Sequence, residues 1–529
     1  MTNSNKMLDF LILIIILNIL LLSIFSNHWG YDEFAAVSSH LELSNYIYID
    51  EYKKYLTNIG ISNEYIVEII INYLLPIIIV PLRWTYAIGI SPWLSISNYI
   101  GIDWPYLRPI LMLPYVFLIY LGLILIKKTL VDIVNSIAIA IFFILIFCSG
   151  PFLYWTNTLT SYSHHIFVFG IILYSVLKCD FNGHIFNKKS ILLAIVPLFN
   201  YQYIFIICAL GLYDWLKDIK SKKFLFIVKS WVLSIITCFS SVIFLVFRSI
   251  ISGKHQDPAF ASLNEFELSI YSIPSNFKFS IDFFDYVISI YINILFSFYK
   301  NNIYNFTNYG IVFSTLFFIL MVSIAYINWN ISKKLTSILL LIIGTTLLLQ
   351  FLGLLHVAPK RHQLVLFLPV ALLFSIYFSK FFIKYLAYNQ IYYIIFIVLT
   401  LSMVFKINTF SFAENSFPKD YIKPYLDKEG VERLVLNKCD YEPILYKDLR
   451  VAYKPIYRCG PRVVEKLPPN VNTIAVWSSF PINANSALDI IGDYSGSKWS
   501  LISPLQLDLN RDCSSCSRLW IAKLILENK

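Results

Sequence analysis

Long apolar stretches separated by short polar ones run through the first three quarters of this chain, and their lengths are those of membrane-crossing helices. Leu8 to Phe25, Leu107 to Ile126, Ile133 to Cys148, Ile166 to Leu177, Phe224 to Phe247, Gly310 to Trp329, Leu335 to Leu355, Leu364 to Phe378 and Ile391 to Phe405 each form one such stretch. A spanning helix needs roughly 20 apolar residues. A further stretch, Ser190 to Trp215, is broken in its middle by Pro197, Asn200, Tyr201 and Gln202. It predicts two short helices meeting at a polar turn, which membrane depth tolerates only against protein or a wet cavity. The pattern predicts a mainly α, polytopic helical membrane bundle of about 11 spans. Past residue 406 it changes. Short apolar runs at Val431 to Leu436, Thr473 to Trp477 and Trp520 to Leu526 predict strands with helices between them, hence a small α/β domain.

Composition agrees. Of 529 residues, 58% are hydrophobic and 14% charged, against about 25% charged in an ordinary soluble domain; a water-soluble enzyme and a disordered scaffold are excluded. The net charge of +10 does not point to nucleic acid, which needs a basic face in a soluble module. Instead the lysines cluster at the ends of apolar runs: Lys127 and Lys128, Lys188 and Lys189, Lys217 to Lys223, Lys333 and Lys334, Lys380 and Lys384. Short cytoplasmic loops carry such an excess.

With those loops inside, the first run is an uncleaved anchor, because it lacks a small-residue cleavage site. The membrane domain then covers residues 1–406, with long outer loops at 26–106 and 249–308, the latter holding an amphipathic stretch near Asp282 to Lys300. Residues 407–529 form a soluble extracytoplasmic domain. Its four cysteines, Cys439, Cys459, Cys513 and Cys516, fit disulfides in an oxidising space. The spacing of Cys513 and Cys516 also suits a zinc site.

Candidate chemistry lies on the outer side. Asp32 and Glu33 stand a few residues past the first helix, where a lipid-borne substrate would arrive. Group transfer from a lipid phosphate needs a carboxylate to take the acceptor proton and cations to hold the departing phosphate. Arg83, Arg108, Lys360 and Arg361 are the cations beside apolar helix ends on that side. A basic triplet, Lys360-Arg361-His362, is unexpected in an outer loop, which favours a phosphate site there. Most histidines fall on the outer side or its edge, and none has the helical spacing of a zinc motif, so no metal ligands are assigned. Tyr162, His164, His165 and His362 are candidate pocket-lining residues.

An apolar first helix, the early Asp32-Glu33 pair, horizontal segments and the Arg108-Pro109 that opens the next span together resemble the GT-C-fold membrane glycosyltransferases. The likeness is to bacterial relatives of protein O-mannosyltransferases and of the lipid A aminoarabinose transferase. It extends to Ser149-Gly150-Pro151 through Tyr162 and to Arg361 before the Pro369-containing run. Thr158 to Tyr162 lacks the acid and arginine that many relatives have there, and His362 stands where a tyrosine-like residue is usual.

The resemblance implies an inverting integral transferase of GT-C type, with a polyprenyl-phosphate-sugar donor and a lipid, glycan or protein acceptor on the outer face of a bacterial plasma membrane. Asp32 is then the base, Glu33 its neighbour or acceptor contact, and Arg108, Lys360 and Arg361 face the donor phosphate. Some relatives use a divalent metal; no cofactor is fixed by the residues here. Two alternatives stay open: a lipid-linked glycan polymerase or ligase using late basic residues, and a non-enzymatic transporter or flippase.

Overall fold

The computed structural model describes residues 3–25, 56–57, 60–69, 100, 104–149, 152, 156, 161–180, 184–218, 224–251, 285, 288, 310–351, 364–385, 394, 397–398, 419–437, 443, 446–457, 467–495, 498–505 and 517–525. These are mainly helical, with one small sheet.

The helices, in chain order, are α1 (Asn3–Phe25), the short α2 (Glu64–Ile69), α3 (Trp104–Leu130), α4 (Ser136–Cys148), α5 (His165–Lys178), α6 (Lys188–Phe199), α7 (Ile204–Asp218), α8 (Phe224–Ile251), α9 (Ile311–Trp329), α10 (Lys333–Phe351) and α11 (Leu364–Tyr385). Among the described residues four stretches are long and apolar enough to cross a membrane: Asn5–Ser23, Pro109–Leu130, Ile311–Trp329 and Leu364–Lys384. Ser136–Cys148, His165–Lys178 and Ile227–Val242 are shorter apolar helices. Large apolar side chains such as Phe117, Ile235, Phe239 and Val312 are exposed on the outside of these helices, as expected where the surrounding solvent is hydrocarbon.

Helix ends follow local chemistry. Asn135 opens α4 by accepting the Ile137 amide at 2.9 Å, and Asn187 opens α6 by accepting that of Ser190 at 2.8 Å; both satisfy amides that a helix start leaves unpaired. The Asn187 amide also donates to Ser230 Oγ of α8 at 3.0 Å. Gly310 precedes α9 with φ +85°, a conformation that favours glycine. That helix start is capped from 25 residues upstream: the buried Asp285 carboxylate accepts from the Gly310 amide and from Ser314 Oγ.

In the core, α3 packs on α1 and α5, α4 on α1 and α11, α6 on α5 and α8, and α7 on α8 and α10. The broken stretch is a helical hairpin, α6 and α7, joined through Asn200 and a 3-10 turn, Tyr201–Tyr203. Pro197 has no N–H for the preceding turn, and Asn200 Oδ1 accepts from the Gln202 amide at 3.0 Å, so the chain leaves the helix there and turns.

The C-terminal unit contains α12 (Lys419–Lys428), β1 (Arg433–Leu436), α13 (Lys447–Tyr453), β2 (Ile456–Tyr457), β3 (Thr473–Ile482), α14 (Ala484–Ser495), β4 (Trp499–Leu505) and β5 (Ser517–Leu524). The sheet order is β2-β1-β3-β5-β4. β2, β1 and β3 are parallel, while β5 runs antiparallel between β3 and β4. Alternation along the strands sends Leu434, Leu436, Ala475, Trp477, Leu519 and Ile521 into a core shared with Ile422 and Leu426 of α12 and Leu449 of α13. Val435, Ile474, Val476, Trp520 and Ala522 face the opposite way, onto Ala487 and Ile491 of α14. The apolar runs near 431, 473 and 520 are thus strands β1, β3 and β5. The four cysteines of this region lie outside the described residues.

Candidate functional site

One end of the helical bundle is held by ion pairs. Lys127, near the end of α3, pairs with Asp9 of α1; Lys178, ending α5, pairs with Asp132. Lys188 Nζ donates to Tyr174 Oη at 2.8 Å, and Lys189 meets Asp214 at 3.0 Å, joining the two open ends of the hairpin. The lysine-bearing ends of α3, α5, α6 and α7 therefore lie together.

The opposite end gathers the starts of three helices. α3 and α5 run parallel, since Tyr115 stacks on His164, Gly122 touches the backbone at Ile166 and Phe167, and Lys128 lies over Tyr174. α4 starts beside the lysine end and rises about 20 Å over its 13 residues. Just beyond it Phe152 stacks on Phe367 in the first turn of α11, with centroids 4.5 Å apart. So α3, α5 and α11 all begin at the end away from the paired lysines.

At that end a 3-10 turn, Ser161–His164, leads into α5; its last residue, His164, and the first of α5, His165, are both fully buried. The His164 ring lies parallel to Tyr115 at 5.3 Å and edge-on to Phe199 at 5.5 Å. Its Nδ1–H donates to the Phe199 carbonyl at 3.3 Å, freed because α6 ends there. Burial holds its pKa far below the ordinary value, at about 3, against the smaller opposing effect of that hydrogen bond. The ring is thus neutral, with Nε2 an acceptor that has no hydrogen-bond partner among the described residues. His165 Nδ1 and Tyr203 Oη share a 2.9 Å hydrogen bond. The two histidines fasten the start of α5 to the tip of the hairpin. Gln202, in the same tip, keeps a buried Oε1 without a partner among the described residues. A neutral imidazole and a carboxamide in this setting can accept hydrogen bonds from hydroxyl or amide donors.

The sequence-predicted residues distribute as follows. Asp32, Glu33, Arg83, Lys360, Arg361 and His362 lie outside the described residues. Arg108 is in the first turns of α3 and Tyr162 in the turn before α5, both without a described side chain. His164 and His165, assigned by sequence to a short outer loop, pack inside the bundle instead, because the turn is wedged between Tyr115 and the hairpin tip. Sequence reasoning noticed Asn200, Tyr201 and Gln202 as a break but had no signal joining them to the histidines; the partners are 35 to 38 residues apart. Among the described residues no cluster of three or more metal-ligating side chains occurs. A comparison with known protein families returns no match, and neither does a comparison with curated proteins.

Proposed function

We propose that this chain is an integral-membrane glycosyltransferase of GT-C type, with about eleven crossings and its C-terminal unit outside the cytoplasm of a bacterium. It would take a sugar from a polyprenyl-phosphate donor and pass it to a lipid, glycan or protein acceptor on the outer face. The observation that supports this most is the common origin of α3, α5 and α11 at one end of the bundle. Arg108 lies in the first turns of α3, Tyr162 in the turn before α5, and Arg361 three residues ahead of α11 in the sequence. Cations at helix starts on one membrane face suit a phosphate arriving in the bilayer, and the ion-paired lysines at the other end suit the cytoplasmic side.

In this mechanism Asp32 removes the acceptor proton as the acceptor attacks the anomeric carbon, with Glu33 beside it. Arg83, Arg108, Lys360 and Arg361 hold the leaving lipid phosphate, whose charge grows as the glycosidic bond breaks. The hairpin tip, fastened by the buried His164 and His165, supports the start of α5 behind Tyr162.

The test is transfer in membranes containing the Asp32→Ala chain, supplied with lipid-linked sugar. Transfer should fall at least about a hundredfold, the scale of a lost general base, with insertion unchanged. Near-normal transfer would overturn the assignment in favour of a late-loop polymerase or ligase. Movement of labelled lipid across vesicles without any acceptor would favour a flippase. Mass analysis of surface glycolipids and glycoproteins, with and without the gene, would identify the sugar.

A further inference from the structure

Helices α7 and α8 meet along one antiparallel seam. Trp231 of α8 packs its indole against Gly211 of α7, where an added Cβ would come within 3.3 Å of the ring. Seven residues on, Cys238 projects from the same face of α8, and its Sγ lies 4.0 Å from the carbonyl of Ile204. Ile204 is one helical turn before Cys208 on α7, so the two cysteines occupy the same level of the seam.

Cys238 is buried and Cys208 is exposed. They line a groove of about 290 Å³ together with Trp215, Trp231, Leu212 and Ile235. Leu212 and Ile235, at 52% and 60% exposure, make the outer wall apolar. In a helix pair packed this way, Cys208 is reached from hydrocarbon rather than from water.

That environment narrows what the pair can do. A soft metal ion would demand thiolates, which are charges in an apolar groove. A dithiol and a disulfide are both neutral, so neither state is penalised there. We propose that Cys208 and Cys238 form a reversible interhelical disulfide, oxidised by a lipid-soluble quinone. Two S–H bonds break and one S–S bond forms; the two protons and two electrons pass to the quinone, which becomes a quinol. The bond ties α7, one arm of the hairpin, to α8. This site does not depend on the sugar-transfer reading.

The experiment uses the full chain in lipid nanodiscs, reduced, then exposed to a short-chain benzoquinone, alkylated and mapped by peptide mass. The expected product is a linked peptide pair through Cys208 and Cys238, two hydrogens lighter than its parts, with Cys148 and Cys179 alkylated. In Cys208→Ser, whose altered side chain faces lipid, Cys238 should remain alkylatable. Recovery of both Cys208 and Cys238 as alkylated thiols after quinone treatment would overturn the proposal, as would linkage of either to a different cysteine.

Discussion

Gly122 of α3 and Gly170 of α5 meet backbone to backbone. A Cβ on Gly122 would sit 2.7 Å from the carbonyl group of Ile166, and one on Gly170 would sit 2.7 Å from the carbonyl oxygen of Gly122. A side chain at either position would run into backbone of the other helix, at Ile166 and Phe167 or at Gly122 itself. Lipid tails are as apolar as leucine, so close packing at small residues is a principal attraction between helices in a membrane. This contact sets how α5 lies on α3, and hence where His164 meets Tyr115.

Gly170→Ala should therefore destabilise the bundle by about 1–3 kcal/mol, the range for overpacking a tight interior. The obstructing atoms are backbone and cannot step aside. Gly344→Ala is the control, since a Cβ there meets nothing within 4 Å; it should be neutral or slightly stabilising. Thermal unfolding in detergent, followed by loss of the monodisperse peak, would show a lower midpoint for the first variant alone. Equal midpoints would contradict the backbone contact.

The Lys189–Asp214 pair, with side chains 4% and 14% exposed, closes the open ends of the hairpin. Lys189→Met leaves a buried carboxylate unpaired and should cost about 3–5 kcal/mol, whereas replacing both partners by apolar residues should cost much less. A double-mutant cycle on Lys189→Met and Asp214→Leu, read by the same midpoints, checks this. Additive losses would mean the pair does not interact.

For His164 the sign of the pH dependence follows from its depressed pKa. The unfolded side chain titrates near 6.5 and the folded one at about 3, so between those values the unfolded chain binds the extra proton. The group has no effect on stability well above pH 6.5 and subtracts about 1.4 kcal/mol per pH unit below it. Lowering the pH from 7.5 to 5 should thus cost the natural chain about 2 kcal/mol more than His164→Phe, which keeps the stack on Tyr115. Parallel stability curves for the two chains would remove this role.

Much of the bundle was legible because its signals are local. Hydrophobic runs marked α1, α3, α9 and α11, and Pro197 with Asn200 marked the hairpin turn, since a missing N–H and a side chain that bonds its own backbone act within a few residues. The strands at 433 and 473 carry similarly short patterns. The burial of His164 and His165 was not legible: their position after Tyr162 suggested a loop, and only the Phe199 carbonyl and Tyr203 hydroxyl, supplied from another helix pair, make an interior site for them. Asp285 is the same case. Its amphipathic surroundings gave no hint that it caps a helix start 25 residues later.

What the sequence determined by itself is a mainly helical chain with segments long and apolar enough to cross a membrane, followed by a small α/β unit, because transfer of apolar surface and hydrogen bonding within one helix depend on consecutive residues. Which helix starts share an end, that Gly122 faces Gly170, that two histidines close on the hairpin tip, and that Cys208 faces Cys238 were decided by tertiary structure alone. Those relations come from side-chain shape and backbone clearance between segments far apart in the chain, and no local pattern encodes them.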